Sequence, residues 1–289
     1  LKVFCLVMEK NYVVVYFRVI AMLMIVIFHC YCYNFGVWPF LISSPPPYDY
    51  SFSPLIFSTL GLSIFVIISG YLYGFGFFHL LKYKNNSEFL KKKFSRLIVP
   101  YIFWALITYV SFPTSVYWKQ LFGGIAHLWF LLMLFNCFCI ATMTRSLWKN
   151  FGKFSSVCLI IFLYLITFVQ NSSLLNHLWP LAINKSIPWL YLFFLGIFLG
   201  KYTFFQKISV YLKQVPPRWI LFFDRNSMGV YILHHTFIWL AIYYILPVRE
   251  FMINNPIYAP WCLFLIVLPL SLFCTEYINK LRYSNYIFG

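Results

Sequence analysis

The stretch YFRVIAMLMIVIFHCYC (Tyr16–Cys32) holds one arginine and one histidine in an otherwise apolar run. Arg18 and His29 are the only basic or acidic side chains between Lys10 and Asp49. The run has the length of a membrane-spanning helix, which needs about 20 apolar residues. Ionisable side chains are costly inside a membrane, and for that reason they indicate function. Eleven residues make almost three helical turns, so we expect both side chains on one helix face, about 16 Å apart.

Each of these two side chains also has a purely structural interpretation. Arg18 lies near one end of the run, where an arginine can anchor a helix at the membrane surface. His29 can be a neutral imidazole that donates to a backbone carbonyl. Because the two residues share a helix face, it is harder for both structural interpretations to hold together.

The composition of the whole chain is that of an integral membrane protein. The 289 residues are 62 % hydrophobic and only 10 % charged, with a mean hydropathy of +0.80; soluble domains are about 25 % charged. The apolar runs are longer than the alternating segments of about 10 residues that build β-barrels. We therefore predict an all-α polytopic transmembrane helix bundle of about eight spans (8–10). The runs are 12–33, 55–78, 97–116, 123–143, 154–170, 187–200, 227–246 and 258–278.

The net charge of +16 is explained by membrane topology. If the N-terminus is cytoplasmic, all of the 22 lysines and arginines except Lys119, Lys185 and Arg249 fall on the inner side. The positive-inside rule then places both termini in the cytoplasm. The basic inner face is suited to anionic membrane lipids, and without a basic soluble domain we predict no nucleic-acid binding. Residues 1–7 are too short and too weakly basic for a cleaved signal peptide, so the first run is expected to direct its own insertion.

The cysteine pattern and the absence of internal repeats argue against disulfide-rich proteins, metal-binding proteins and repeat-built transporters. The eight cysteines lie almost entirely inside the apolar runs and form no CxxC motif, which is typical of small buried side chains. We therefore predict neither a disulfide framework nor a metal site. The sequence also lacks the internal repeat and the paired broken helices of many transporters.

Two further motifs follow the first run. In GLSIFVIISGYL (Gly61–Leu72), Ser69 and its small neighbours indicate either close helix packing or the close approach of a ligand. The motif KKKFSR then brings Lys93 and Arg96 to one side of a helix start. These cations either mark the cytoplasmic side or bind the phosphates of a cytoplasmic ligand.

Two later motifs add polar groups to other runs. In HLWFL (127–131), His127 and Trp129 are typical of a membrane-interface belt, and equally of the floor of a sugar-binding site. NSMGVYILHH (226–235) places Ser227, Tyr231 and either His234 or the adjacent histidine at helical spacings. Polar groups directed inward from three runs are stronger evidence for a site than any single histidine.

Taken together, the motifs resemble those of the acyltransferase 3 family of multi-span membrane acyltransferases. The family patterns are arginine-x10-histidine, Gly-x3-Phe-x3-Ser-Gly, a basic pair before proline, His-Leu-Trp-Phe-Leu and Ser-x3-Tyr-x2-His. They are matched in order by Arg18/His29, Gly61/Phe65/Ser69/Gly70, Lys93/Arg96/Pro100, residues 127–131 and Ser227/Tyr231/His234. The chain departs from the family in having a lysine at 93, where arginine is frequent. It also departs in having no apolar run between Gly200 and Ser227.

The resemblance implies one membrane-embedded acyltransferase domain over residues 1–289. Such proteins move an acyl group, usually acetyl, from cytoplasmic acetyl-CoA to a hydroxyl of a surface carbohydrate or its lipid-linked precursor. It also implies a bacterial inner membrane and no bound cofactor or metal. The alternative is an exporter of a glycan or lipid-linked intermediate, which has the same need for a basic inner face; a third possibility is a structural partner in a synthase complex.

The resemblance also suggests roles for the candidate residues. We expect Lys93 and Arg96 to bind the donor phosphates, and Arg18 to hold a phosphate or the thioester. Histidine is suited to act as a general base near pH 7, and His29 is the candidate. A carboxylate within the membrane is expected at most at Glu276, so a Ser-His-Asp arrangement is not predicted. The remaining motif residues, expected to serve the acceptor or the structure, are Ser69, His127, Trp129, Ser227, Tyr231 and His234.

Overall fold

The structure is a computed structural model that describes residues 11–38, 45–83, 85–111, 118–169, 180–209, 215–282 and 284–288. Every regular element in these ranges is a helix, so the predicted all-α fold is confirmed. Short 3-10 turns at 126–128, 180–182 and 187–189 connect some of the helices. The α-helices are α1 (Tyr12–Phe35), α2 (Leu55–Phe78), α3 (Asn86–Lys93), α4 (Val99–Ser111), α5 (Trp118–Gly123), α6 (Trp129–Met143), α7 (Arg145–Asn150), α8 (Lys153–Val169), α9 (Ile183–Ser186), α10 (Leu190–Lys201), α11 (Phe204–Ser209), α12 (Arg218–Tyr244), α13 (Leu246–Asn254), α14 (Ala259–Ile278) and α15 (Ser284–Phe288).

Within the described ranges, six helical segments are long and apolar enough to cross a membrane, and a seventh is obtained if α12 and α13, bent by 94°, count as one span. The predicted number of eight is not confirmed. The difference lies in the run 154–170, which forms an apolar helix below the length of about 20 residues that a span needs. The six segments are Tyr12–Phe35, Leu55–Phe78, Asn86–Ser111, Lys119–Met143, Pro180–Lys201 and Ala259–Ile278.

Helix α1 lies against α2, α12 and α14 and is the central element of the bundle. It begins where the Asn11 side chain accepts a hydrogen bond from the backbone N–H of Val14. It ends at Gly36, whose left-handed φ of 75° allows its N–H to donate to the carbonyl of Cys32. The polar face of α1 is therefore enclosed by other helices over much of its length.

The small residues of α2 serve close helix packing. A side chain at Gly70 would overlap the backbone carbonyl of Phe193, and a Cβ at Gly74 would lie 2.6 Å from the carbonyl oxygen of Ile197. At Gly61 a Cβ would lie 3.0 Å from the carbonyl oxygen of a residue in α1. Of the two interpretations offered for these glycines, the structure supports helix packing.

The orientation in the membrane stays a prediction and can be tested by cysteine labelling. In a background without the native cysteines, a membrane-impermeant reagent should label Lys185→Cys from outside and Asn86→Cys only after permeabilisation. The reason is the excess of basic residues on the inner side. Labelling of Asn86→Cys in intact cells would contradict the orientation. Ser44 and Lys213, which are expected outside and inside respectively, lie beyond the described residues.

Candidate active site

Two cavities lie along the polar face of α1. The first, here called the arginine cavity, has a volume of about 150 Å³ and is lined by Arg18, Lys93 and Arg96. The second, the histidine cavity, has a volume of about 90 Å³ and is lined by His29 and His127. Arg18 and His29 thus face the bundle interior in two separate compartments, as their spacing on one helix predicts.

The arginine cavity concentrates positive charge. No acidic residue is among the described residues that line it. The Lys93 Nζ atom lies 4.0 Å from the centre of the Phe138 ring, so an aromatic face stabilises the ammonium of this partly buried side chain. Arg96 lies in a π-helical turn, Phe94–Ile98, between α3 and α4. Such turns locally redirect side chains and are frequent at functional sites.

Arg18 is paired with Asp224. One nitrogen of the guanidinium, Nη2, lies 2.8 Å from Oδ1 and 3.1 Å from Oδ2 of the carboxylate. The Asp224 side chain is only 5 % exposed, so it needs this cation. The Nε atom of Arg18 is buried without a hydrogen-bond partner in the described part of the chain. One donor of the guanidinium is therefore not used by Asp224.

The structure adds a buried carboxylate that the sequence interpretation did not include, Asp224. The predicted apolar run starts at residue 227, whereas α12 begins at Arg218 and buries Asp224 inside the bundle. Glu276 instead binds Arg225, with 2.7 Å between oxygen and nitrogen. A signal was present in the sequence, since Asp224 precedes His234 by almost the same number of residues as Arg18 precedes His29.

The hydrogen bonds around His29 define its tautomer. Its Nδ1 atom lies 2.9 Å from the carbonyl oxygen of Ile25 and 3.1 Å from Nε2 of His234. The Nδ1 atom of His234 in turn lies 2.9 Å from the carbonyl oxygen of Val230. Carbonyl oxygens only accept, so both Nδ1 atoms carry the proton in this assignment. The Nε2 lone pair of His29 then has no hydrogen-bond partner among the described residues and is available as a base.

His127 and Tyr231 complete the histidine cavity. The Nε2–H of His127 donates to the carbonyl of Ile232 across 3.2 Å, and its buried Nδ1 has no partner in the described ranges. The Tyr231 hydroxyl donates to the backbone carbonyl of His127. His235 stacks on the His127 ring with a centroid distance of 4.5 Å. Despite this group of imidazoles, no three His, Cys, Asp or Glu side chains in the described residues are arranged to hold a metal ion.

The structure brings the predicted site residues together along one path. Ser69 and Ser227 line the arginine cavity, Trp129 lines the histidine cavity, and Tyr231 lines both. The Ser227 hydroxyl donates to the backbone carbonyl of Asp224, so it is engaged by its own helix. Of the two adjacent histidines, His234 is the one that hydrogen-bonds His29.

These features define a membrane-embedded helical protein in which a positively charged cavity adjoins a cavity with an unprotonated imidazole nitrogen. Residues 11–216, more than half of the chain, match the family model described as an acyltransferase domain. The chain therefore belongs to the acyltransferase 3 family and is a membrane acyltransferase. The match ends before α12, so the contacts of Asp224, Tyr231 and His234 rest on the structure alone. No curated protein and no solved structure matches the chain.

Proposed function

We propose that the protein transfers an acyl group, most simply acetyl, from acyl-coenzyme A to a hydroxyl of a carbohydrate or of its lipid-linked precursor in a bacterial inner membrane. One observation carries the proposal. The Nε2 atom of His29 is without a hydrogen-bond partner among the described residues, in a cavity that shares side walls with a cationic cavity. A base for the acceptor and a binding site for an anionic donor are thereby adjacent.

The arginine cavity fits the donor. Coenzyme A carries phosphates on a long flexible arm, and guanidinium and ammonium groups bind phosphate by charge-assisted hydrogen bonds. Arg96 is exposed at the cavity and Lys93 is partly buried. We assign the phosphates to these two residues. Arg18 lies on a different helix and is held by Asp224, so it is assigned to the thioester end of the donor.

The histidine cavity fits the chemistry at the acceptor. The His29 Nε2 atom takes the proton of the acceptor hydroxyl while the acceptor oxygen bonds to the acyl carbon. The carbon–sulfur bond then breaks, and the departing thiolate receives the proton from the imidazolium. The products are an ester and free coenzyme A, and no other reactant is needed. His234 supports this step because it accepts the hydrogen bond from Nδ1 of His29 and keeps Nε2 directed at the cavity.

The acceptor is proposed to lie at the opening of the histidine cavity. Trp129 lines this cavity beside His127, and tryptophan offers a flat apolar face with a polar edge. Such a face suits the C–H groups of a sugar ring. The unpartnered Nδ1 of His127 is a hydrogen-bond acceptor for a second hydroxyl.

The function is tested by mass analysis of surface glycans from cells with and without the gene, and with His29→Ala. Acyl groups should disappear in both altered strains while the polymer itself still reaches the surface. Loss of the polymer would instead favour the exporter. Unchanged acylation without the gene would overturn the proposal.

The donor assignment predicts that Lys93→Gln and Arg96→Gln each raise the apparent KM for acyl-coenzyme A by about 10-fold, because each removes a charge-assisted hydrogen bond. The value of kcat should fall less. Added salt should weaken donor binding in the wild type more than in the double variant. The reason is that salt screens the attraction between these cations and the donor phosphates, with a screening length of about 8–10 Å at physiological ionic strength. Steady-state kinetics in membrane vesicles measure both effects.

The matched control for the donor assignment is Lys91→Gln. Lys91 is an exposed lysine of the same helix and lines neither cavity. Its replacement should leave the donor KM unchanged. Equal KM values in the double variant and the wild type would exclude Lys93 and Arg96 as donor ligands.

A further inference from the structure

We infer that Phe130 is an acyl gate: its ring controls passage of the acyl group from the arginine cavity to the histidine cavity and limits the length of acyl chain that is transferred. The inference rests on the proposed function and adds a residue that determines donor specificity. It starts from the wall between the two cavities.

Phe130 and Tyr231 are the residues common to the linings of both cavities. Their ring centroids are 5.6 Å apart, so the two rings lie side by side in the wall. The donor cations line one side of this wall and the nucleophile-activating imidazole lines the other. Within the described residues, the direct path of a thioester from the cations to His29 therefore passes these two rings.

The two rings are held differently. Tyr231 is fixed through its hydroxyl, which donates to the backbone carbonyl of His127. Phe130 has no polar atom, and aromatic rings surround it, with centroids 6.2 Å away at Phe65 and 6.3 Å away at Trp129. Rotation of the Phe130 ring therefore breaks no hydrogen bond, whereas rotation of Tyr231 does. Phe130 is thus the member of the pair that can turn aside.

The volume beyond the wall sets the length limit. The histidine cavity, with about 90 Å³, is smaller than the arginine cavity, with about 150 Å³. That space accepts an acetyl group and the reacting hydroxyl, but not a long acyl chain or a whole sugar ring. The sugar ring stays at the opening, and each additional methylene must displace the Phe130 ring. A pocket that meets one extra methylene in this way discriminates by about 10-fold or more.

The test is a competition between acetyl-, propionyl-, butyryl- and hexanoyl-coenzyme A, with the acylated acceptor analysed by mass spectrometry. In the wild type, transfer should fall by about 10-fold with each methylene. Phe130→Leu should raise the butyryl-to-acetyl product ratio by about 10-fold or more, and Phe130→Trp should lower it. Phe130→Met, which conserves volume but is more flexible, gives an intermediate rise and serves if Phe130→Leu is poorly folded.

Two phenylalanine variants act as controls. Phe138→Leu changes a residue that lines the arginine cavity alone, so it can alter the donor KM but should leave the product ratio unchanged. Phe103→Leu changes an exposed ring that lines neither cavity. An unaltered ratio in folded Phe130→Leu and Phe130→Met would overturn the gate while acetyl transfer by the same proteins upheld the proposed function. Absence of transfer from every donor in the wild type would overturn both.

Discussion

Replacement of His29 by alanine is expected to lower kcat by about 10²–10⁴-fold, the usual contribution of a general base. The KM for the acyl donor should change little, because the cations of the donor site line the other cavity. The side chain is only partly buried and its hydrogen-bond partners are a backbone carbonyl and another imidazole. The variant should therefore insert and fold, which its yield and its melting temperature in detergent will show.

The control for His29 is His79→Ala. The ring of His79 binds the carbonyl oxygen of Lys201 at 2.9 Å, at the end of α2, and lines neither cavity. Its loss should leave turnover unchanged. Wild-type turnover in folded His29→Ala protein would end the proposed mechanism.

Two substitutions of His234 test the hydrogen bond that orients His29. His234→Leu removes the acceptor for the Nδ1–H of His29, whereas His234→Gln keeps a side-chain oxygen near the same place. A lost neutral hydrogen bond of about 1 kcal/mol corresponds to roughly a five-fold fall in kcat. Partial recovery in the glutamine variant at unchanged KM would separate orientation of His29 from simple packing.

Arg18→Lys is expected to reduce kcat/KM severely, by about 10²-fold, while the protein remains folded. Lysine keeps the positive charge that buried Asp224 requires, but it lacks the planar fork of donors. The guanidinium has donors that point in at least two directions. Nη2 binds Asp224, and the unpartnered Nε is the donor we assign to the acyl donor. Steady-state kinetics together with thermal unfolding distinguish this loss from misfolding.

Two further variants help to interpret the result for Arg18→Lys. Arg18→Ala would remove the cation that pairs with the buried Asp224 carboxylate, so its loss of activity would include loss of folded protein. Arg225→Lys is the matched control, because Arg225 also binds a carboxylate but lines neither cavity. Normal turnover in Arg18→Lys would reduce Arg18 to an anchor of the helix.

Much of the site could be predicted from short local patterns. The three-turn spacing of Arg18 and His29 on an apolar helix needs nothing but helix geometry, and both residues do line the interior. The glycines of α2 were open to two interpretations, since the carbonyls of α10 that exclude a side chain at Gly70 are not visible in the sequence.

The features of the site that could not be predicted depend on contacts between elements that are far apart in the sequence. The charged and polar residues at 224–226 interrupt the apolar pattern, so the sequence does not reveal that α12 continues back to Arg218 and that Asp224 is buried. The π-helical turn that carries Arg96 has no clear sequence pattern. That Phe130 lines both cavities is seen only in the structure. In the sequence, an aromatic residue in an apolar run cannot be distinguished from an ordinary core residue.

The pairing of α1 with α12 has a consequence for biogenesis. The partners of Arg18 and His29 follow them by 206 and 205 residues. At about 5–20 residues per second, the ribosome needs roughly 10–40 s to deliver α12 after α1. During that interval the first helix resides in the translocon or the bilayer with its arginine uncompensated and its imidazole unaligned. The nascent chain therefore lacks both the Arg18–Asp224 and the His29–His234 contacts until the last quarter of its sequence is being made.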